Sequence, residues 1–128
     1  MVENSYGHRK MIVWQKLDLI DKMVQSEILP NIPKTLFQLR DQTDRSCSSS
    51  VANFIEGYYS GSLKEYIRFL HYSKRSLAEL QDWVRRSFHK GFLSNEKYLR
   101  FDDLSIITMF FLNRLITALK NKLSSSPH

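Results

Sequence analysis

The sequence predicts an all-α protein, a single domain over residues 1–128 folded as a four-helix bundle. Its 128 residues suit one domain with one hydrophobic core. Only 4 Gly and 3 Pro are present, too few for the many turns of an all-β sandwich. Four long segments have helical character, and short breaks containing proline, glycine or serine separate them.

The first two helices are delimited by proline and glycine. We expect helix one over about 11–29, because Pro30 cannot continue it. Helix two is expected over 33–56, with Pro33 in its first turn, where the missing N–H costs nothing. Gly57 then provides a left-handed C-cap.

Helix three has the clearest pattern and is expected over 63–90. Ser62 is a suitable N-cap, with Glu65 three residues later as its capping-box partner. Gly91 ends the helix. Apolar residues recur at three- and four-residue spacing, which places them on one face and most of the basic residues on the other.

Helix four, expected over 95–123 behind an N-cap at Ser94, is apolar on nearly all sides. One stripe comprises Leu104, Phe111, Leu115 and Leu119. Four further apolar residues, Ile107, Met109, Phe110 and Ile116, fall largely outside that stripe. A bundle covers only one side of each helix, so we predict that this second set forms contacts between subunits of a homo-oligomer. The alternative is a wide core face that the N-terminal segment partly covers.

The net charge of +6 comes from the C-terminal half of the chain. Residues 62–91 contain seven basic and three acidic residues. The predicted phosphate contacts on this segment are Lys64, Arg68, Lys74, Arg75, Arg85, Arg86 and Lys90. A basic helix face can bind the backbone of RNA or DNA. The alternative is a solvated outer face of a bundle helix.

No arrangement of residues indicates catalysis. The four histidines form no H-x-x-x-H or H-E-x-x-H pair, and there is no P-loop or G-x-S-x-G motif. Cys47 is the single cysteine, which excludes a Cys-rich zinc site and is best explained as a buried thiol. We therefore predict no enzymatic activity, no cofactor and no metal.

Cysteine usage and hydropathy also bear on the compartment. A single cysteine excludes an intrachain disulfide and favours the cytoplasm over secretion. The longest apolar run, 106–112, is far shorter than the roughly 20 residues that cross a bilayer, so we expect no membrane association.

A polar motif closes helix two, where Asn53 and Glu56 precede Gly57. Side chains of this kind at three-residue spacing can bond to another helix or cap a neighbouring helix end. A polar pocket at the end of the bundle is the functional alternative. We predict the structural role, because such networks usually fix packing.

Several motifs occur in order along nearly the whole chain. Residues 13–16 read VWQK, 64–70 read KEYIRFL, 76–80 read SLAEL and 91–94 read GFLS. Helix two adds a spaced signature formed by Gln42, Arg45, Ser49, Asn53, Glu56, Gly57 and Tyr58. These motifs resemble those of the bacterial four-helix bundle proteins, also called ribosomal-RNA intervening-sequence proteins. The chain departs from them at Ser46 and Cys47, where the family usually has two alanines.

The resemblance implies an antiparallel, up-down-up-down four-helix bundle that assembles as a homopentameric ring or barrel. The family is also similar to the accessory variability determinant proteins of diversity-generating retroelements, which are basic pentamers. The implied partners are other copies of the chain, RNA or DNA, and a reverse transcriptase. The resemblance thus implies a non-catalytic nucleic-acid-binding accessory protein. The alternative is a pentameric protein-interaction scaffold that does not bind nucleic acid directly.

Overall fold

The computed structural model describes residues 7–125, and within that range the protein is all-helical without strands. The four main helices are α1 (Ile12–Met23), α2 (Phe37–Tyr58), α3 (Leu63–His89) and α4 (Asn95–Ser125). A 3-10 turn at Gly7–Lys10 precedes α1. A π-helical turn at Val24–Ile28 and a 3-10 turn at Leu29–Asn31 extend α1 towards α2. The predicted fold class, a four-helix bundle, is confirmed.

Helices that are consecutive in the chain pack side by side, and α4 also returns to α1. This cyclic order is that of an up-and-down bundle, in which short connections join antiparallel neighbours. The largest fully buried side chains come from all four helices and include Leu17, Ile20, Phe54, Leu77 and Phe101. The core is therefore shared by the whole bundle.

The connection between α1 and α2 is longer than predicted. Pro33 lies in this connection and not in the first turn of α2, which begins at Phe37, so the predicted helix start is wrong. The reason lies in the preceding residues, where the backbone becomes extended and buries Ile32. The guanidinium group of Arg40 donates to the carbonyl oxygens of Leu29 at 2.6 Å and Ile32 at 2.8 Å. The carbonyl of Leu29 also accepts the backbone N–H of Ile32, so Arg40 gives it a second donor and gives the carbonyl of Ile32 a partner at the end of the first helical segment.

Gly57 does not cap α2, so this second prediction is also wrong. The helix continues through Gly57 to Tyr58, and the left-handed backbone that follows is at Gly61, with φ +76°. A Cβ atom on Gly57 would lie 2.9 Å from the Cβ of Phe69 and 3.2 Å from the carbonyl oxygen of Tyr66. The residue is a glycine because α3 passes directly over it.

The predicted ends of α3 and the start of α4 are confirmed. The hydroxyl of Ser62 accepts the backbone N–H of Glu65 at 3.2 Å, and Ser94 caps α4 in the same way at 3.2 Å. The carboxylate of Glu65 pairs with Arg68 at 2.7 Å and not with the N–H of Ser62, so only one of the two bonds of the predicted capping box forms. Gly91 has φ +88°, the left-handed conformation that follows a helix end.

The buried face of α4 differs from the predicted stripe. Its buried residues are Phe101, Ser105, Thr108, Leu112 and Ile116, whereas the predicted stripe is half-buried beside them. Ile116 is 4% exposed, so it lies in the core of its own subunit and its assignment to an oligomer interface is wrong. Ser105 and Thr108 occupy the centre of this face because their hydroxyls donate to carbonyls of their own helix, at 2.9 and 2.7 Å.

Small residues line the contact between α2 and α3, which we call the α2–α3 seam (Ser49, Ser50, Gly57, Ser73 and Ser76). The buried hydroxyl of Ser73 donates to the carbonyl oxygen of Ser50 at 2.6 Å. The hydroxyls of Ser49 and Ser76 meet at 2.8 Å. Because these side chains are small, the two helix backbones approach closely at these positions, and the hydrogen bonds fix their register.

Gly57→Ala tests this close approach. The added methyl group meets the Cβ of one residue and the backbone of another, neither of which can rotate away. We expect a loss of about 1–3 kcal/mol in the free energy of unfolding, even though alanine favours helix by about 1 kcal/mol. Urea denaturation measures this loss.

Ala52→Gly, at an exposed position of the same helix, is the matched control and reports the propensity contribution alone. A Gly57→Ala protein as stable as the parent would show that the helices do not approach as closely as described.

Candidate nucleic-acid interface

The side of α3 that faces away from the core carries arginines interleaved with aromatic and acidic residues. We call it the α3 outer face, and its charged members are Lys64, Arg68, Arg75, Glu79, Asp82 and Arg86. Positions 68, 75 and 86 align on a helix of 3.6 residues per turn. The same periodicity places Leu70, Leu77 and Val84 on the opposite, buried side. The amphipathic pattern of α3 therefore determines which cations reach solvent.

Two arginines pack on the ring of Tyr72. The guanidinium carbon of Arg68 lies 5.3 Å from the ring centroid and that of Arg75 lies 4.8 Å from it. Arg68 also donates to the hydroxyl of Tyr72 at 2.9 Å and pairs with Glu65, a bond that raises the pKa of Arg68. The ring holds both guanidinium groups and hydrogen bonds also hold that of Arg68, which lowers the entropy cost of binding an anion.

Asp82 holds two further arginines. Its carboxylate accepts hydrogen bonds from Arg85 at 2.8 Å and from Arg86 at 2.9 Å. These bonds, with Arg85 the larger contributor, lower the pKa of Asp82, so the carboxyl group is ionised at neutral pH. Arg86 also lies over the ring of Trp83, 5.0 Å from its centroid. One carboxylate therefore competes with any external anion for two cations.

The seven predicted cations do not share one face. Lys74 and Arg85 lie on the flank of α3 that meets α4, where Lys74 acts with Lys120 on His71 and Arg85 acts on Tyr98. Partial burial, followed by the charges of Lys120, Lys74 and Arg75, lowers the pKa of His71 and keeps it neutral at neutral pH. Lys64 and Lys90 are exposed near the two ends of the helix. The basic residues therefore divide between an outer face and an α4 flank.

Lys120 is a cation that the sequence pattern did not assign to this surface. It belongs to α4 and is far from α3 along the chain, although it contributes to the potential at His71. A local charge count cannot reveal such a neighbour, because only the packing of α4 against α3 brings the two segments together.

The residues of the predicted polar motif, Asn53, Glu56 and Gly57, do not form one hydrogen-bond network. The amide of Asn53 donates to the backbone oxygen of Ser49 at 2.8 Å and to its hydroxyl at 3.0 Å, beside the bond from Ser49 to Ser76. Glu56 is exposed and lies outside this network, and Gly57 serves the helix contact described above.

Asn53 also lines a polar groove of about 380 Å³ between α2 and α3, together with Tyr72, Arg75 and Glu79. Arg75 has no salt bridge within residues 7–125. Its charge is therefore available to a phosphate that reaches this groove.

A second exposed surface lies on α4. We call it the α4 outer face, formed by Leu99, Ile106, Ile107 and Phe110. Ile107 and Phe110 belong to the predicted interface set, whereas Met109 is half-buried against the core. Leu99 and Ile106 belong to the same face but were not predicted. Their positions indicate it, because residues seven apart (99 and 106) or four apart (106 and 110) lie on the same side of a helix.

Within the part of the chain that the structure describes, there is no sign of a reactive cysteine, a metal site or a membrane-spanning helix. The thiol of Cys47 is buried next to Asp21, and burial together with that carboxylate raises the pKa of Cys47 well above its usual range. Residues 7–125 contain no group of three or more His, Cys, Asp or Glu side chains placed to hold a metal ion. In that same range, every helix is too short or too polar to cross a membrane.

Comparison with known families assigns the chain. The sequence profile of the 23S rRNA-intervening sequence protein family matches residues 9–113. The protein belongs to this family. The matched region contains all of α1, α2 and α3, including the α3 outer face, and α4 as far as residue 113. A search of curated proteins finds no significant match. The resemblance to intervening-sequence proteins is confirmed, and the similarity to retroelement accessory proteins stays a prediction.

Asp82→Asn tests the competition between Asp82 and an external anion. The variant releases Arg85 and Arg86, so we expect it to bind a labelled oligonucleotide severalfold more tightly in fluorescence anisotropy at low salt.

Glu79→Gln is the matched control, because it removes the same single charge from α3 without a bound arginine to release. Equal tightening in the two variants would show that net charge alone, and not the pairing with Asp82, sets the affinity.

Proposed function

We propose that this protein is a non-catalytic accessory protein that binds RNA or DNA through the α3 outer face. The observation that carries the proposal is the line of Arg68, Arg75 and Arg86 on one rigid helix, each stacked on an aromatic ring. Guanidinium groups match the geometry of phosphate oxygens, and stacking holds them ready. The contacts are to the nucleic-acid backbone, so little sequence preference is expected.

The length of this line suits a nucleic-acid backbone. Arg68 and Arg86 are 18 residues apart, a rise of about 27 Å along the helix. One strand of a duplex has about eight phosphates over that distance, and the few of them that face α3 lie within reach of its arginines. Several weak contacts can therefore form at once, and the affinity should fall steeply as the salt concentration rises.

We further propose that the α4 outer face joins the subunits into the homopentameric ring that the family resemblance implies. Four large apolar side chains exposed on one helix favour burial against another subunit. Five copies would carry a formal charge of about +30 and repeat the α3 outer face around the ring. Because one nucleic acid could bind several copies of this face at once, the ring would raise the effective concentration of binding sites without any additional type of contact.

The family name supports a role connected with ribosomal RNA. Partnership with the reverse transcriptase of a diversity-generating retroelement is the more specific proposal. Gene neighbourhood distinguishes the two roles, since a retroelement places a reverse transcriptase gene and a variable repeat beside this gene. Both roles belong to the cytoplasm, where a protein with a single buried thiol is expected.

The competing proposal is a protein-interaction scaffold that does not touch nucleic acid. It is favoured by Asp82, which already neutralises part of the charge of two arginines. A partner captured from lysate that remains bound after nuclease treatment would support the scaffold. Loss of the partner on the same treatment would support nucleic-acid binding.

Arg75→Glu tests the nucleic-acid proposal. The side chain has no salt bridge in the described range, so its reversal should leave the fold intact while weakening binding to RNA and DNA alike. We expect the slope of log affinity against log salt to decrease in magnitude by about 1.

Lys22→Glu, on α1 and diagonal to α3 in the bundle, makes the same charge change and should have a smaller effect. Absence of binding by the parent protein at both low and near-physiological salt would refute the proposal.

Phe110→Asp tests the assembly. We expect the variant to dissociate, because a carboxylate in the centre of an apolar interface must be desolvated, a cost that the neighbouring Arg114 only partly offsets. Size-exclusion chromatography with multi-angle light scattering measures the mass, with a pentamer expected for the parent.

Phe37→Asp is the matched control on α2, the helix diagonal to α4, and should keep the parent mass. A parent protein that is monomeric at micromolar concentration would contradict the proposed ring.

A further inference from the structure

An open groove lies where α2 begins and α3 ends, and the proposed function does not yet use it. Its volume is about 440 Å³, within the range of ligand-binding clefts. Residues 35–39 line one side, and Trp83, Arg86 and Lys90 line the other. The close approach of the helices at the α2–α3 seam brings these two segments together.

The floor of this groove is apolar and exposed. Phe37 is 79% exposed, the highest value for any large apolar side chain between residues 7 and 125. Leu36 beside it is also exposed, and Leu39 continues the apolar surface into the core. A phenyl ring held in water on a rigid helix carries a free-energy cost that a bound partner would recover.

The wall contributed by α3 offers two cations beside a half-buried indole. The indole N–H of Trp83 is buried and has no acceptor within residues 7–125. Arg86 stacks on that indole and donates to Asp82 through its Nε atom, so its terminal nitrogens make no hydrogen bond within the described range. Lys90 is exposed at the end of the same wall.

The charged residues around the groove are unevenly distributed. The first turn of α2 has no acidic residue, so nothing on that wall repels an anion. The far side of Phe37 borders a smaller pocket lined by Arg40, Asp41 and Asp44, in which two carboxylates outnumber one guanidinium group. An anion is therefore attracted along the α3 wall and repelled beyond the phenyl ring, which places the apolar part of a ligand against Phe37.

We propose that this groove binds an unpaired nucleotide of single-stranded RNA or DNA, with the base on Phe37 and its phosphate on Arg86 and Lys90. The proposal rests on the proposed nucleic-acid binding and adds a preference for single strands. Unpaired bases stack on exposed aromatic side chains, whereas the bases of a duplex are already stacked and paired.

Continuity with the α3 outer face favours a nucleic acid over an acidic peptide as the occupant. Arg86 belongs to both surfaces, and Arg75 lies about 16 Å from it along the helix. A strand whose phosphates follow the arginines therefore reaches the groove without changing direction. An acidic peptide would use the same cations but would have no reason to continue along the outer face.

Phe37→Ala in the full-length protein tests the groove. The probes are a fluorescently labelled oligouridylate, an abasic oligomer of the same length and a blunt RNA duplex. We expect Phe37→Ala to weaken oligouridylate binding about tenfold, and to change binding of the abasic oligomer and the duplex by less than about twofold. Phe37→Trp keeps an aromatic surface and should retain the affinity for oligouridylate.

The outcomes separate this inference from the proposed function. If Phe37→Ala binds all three probes like the parent while Arg75→Glu binds them weakly, the groove is wrong and the α3 outer face is supported. If the parent binds none of the probes, the proposed function fails. If Phe37→Ala keeps its affinity for oligouridylate but loses binding of a labelled Asp- and Glu-rich peptide containing phenylalanine, the groove is a peptide site and our inference is overturned.

Discussion

The close approach of α2 and α3 is the constraint on which the functional surfaces depend. Gly57 leaves room for the α3 backbone, and hydroxyl contacts from Ser73 to Ser50 and from Ser49 to Ser76 hold the pair in register. Small side chains at a helix contact bring flanking residues near the neighbouring helix. The polar groove at Asn53 and the apolar groove at Phe37 both lie along this one contact.

Salt bridges within α3 make its surface less positive than its net charge suggests. Asp82 binds two arginines and Glu65 binds a third, so part of the positive charge is balanced within the helix. The same pairs, together with stacking on Tyr72 and Trp83, fix the directions of the guanidinium groups. Some electrostatic attraction is thus exchanged for preorganisation, so α3 presents its cations at fixed positions.

The two exposed apolar surfaces lie on different parts of the bundle. The α4 outer face is on a helix that packs against α1 and α3, whereas the groove at Phe37 begins on α2, the helix diagonal to α4. Burial of one surface therefore does not require burial of the other. The proposed assembly through α4 would therefore leave the groove and the α3 outer face exposed.

The sequence alone determined the fold class, the caps at Ser62 and Ser94 and the amphipathic face of α3, because these follow from local periodicity and hydrogen bonding. It could not determine the buried face of α4, where Ser105 and Thr108 satisfy their hydroxyls within the helix and so occupy core positions that hydropathy assigns to solvent. Tertiary packing also decided that Gly57 is a contact and not a cap, and that Ile116 is core. The grooves belong to the tertiary structure as well, since each joins residues that are about 20 to 50 positions apart in the chain. Sequence periodicity defines the faces of a single helix, whereas the burial of each face depends on which neighbouring helix covers that face.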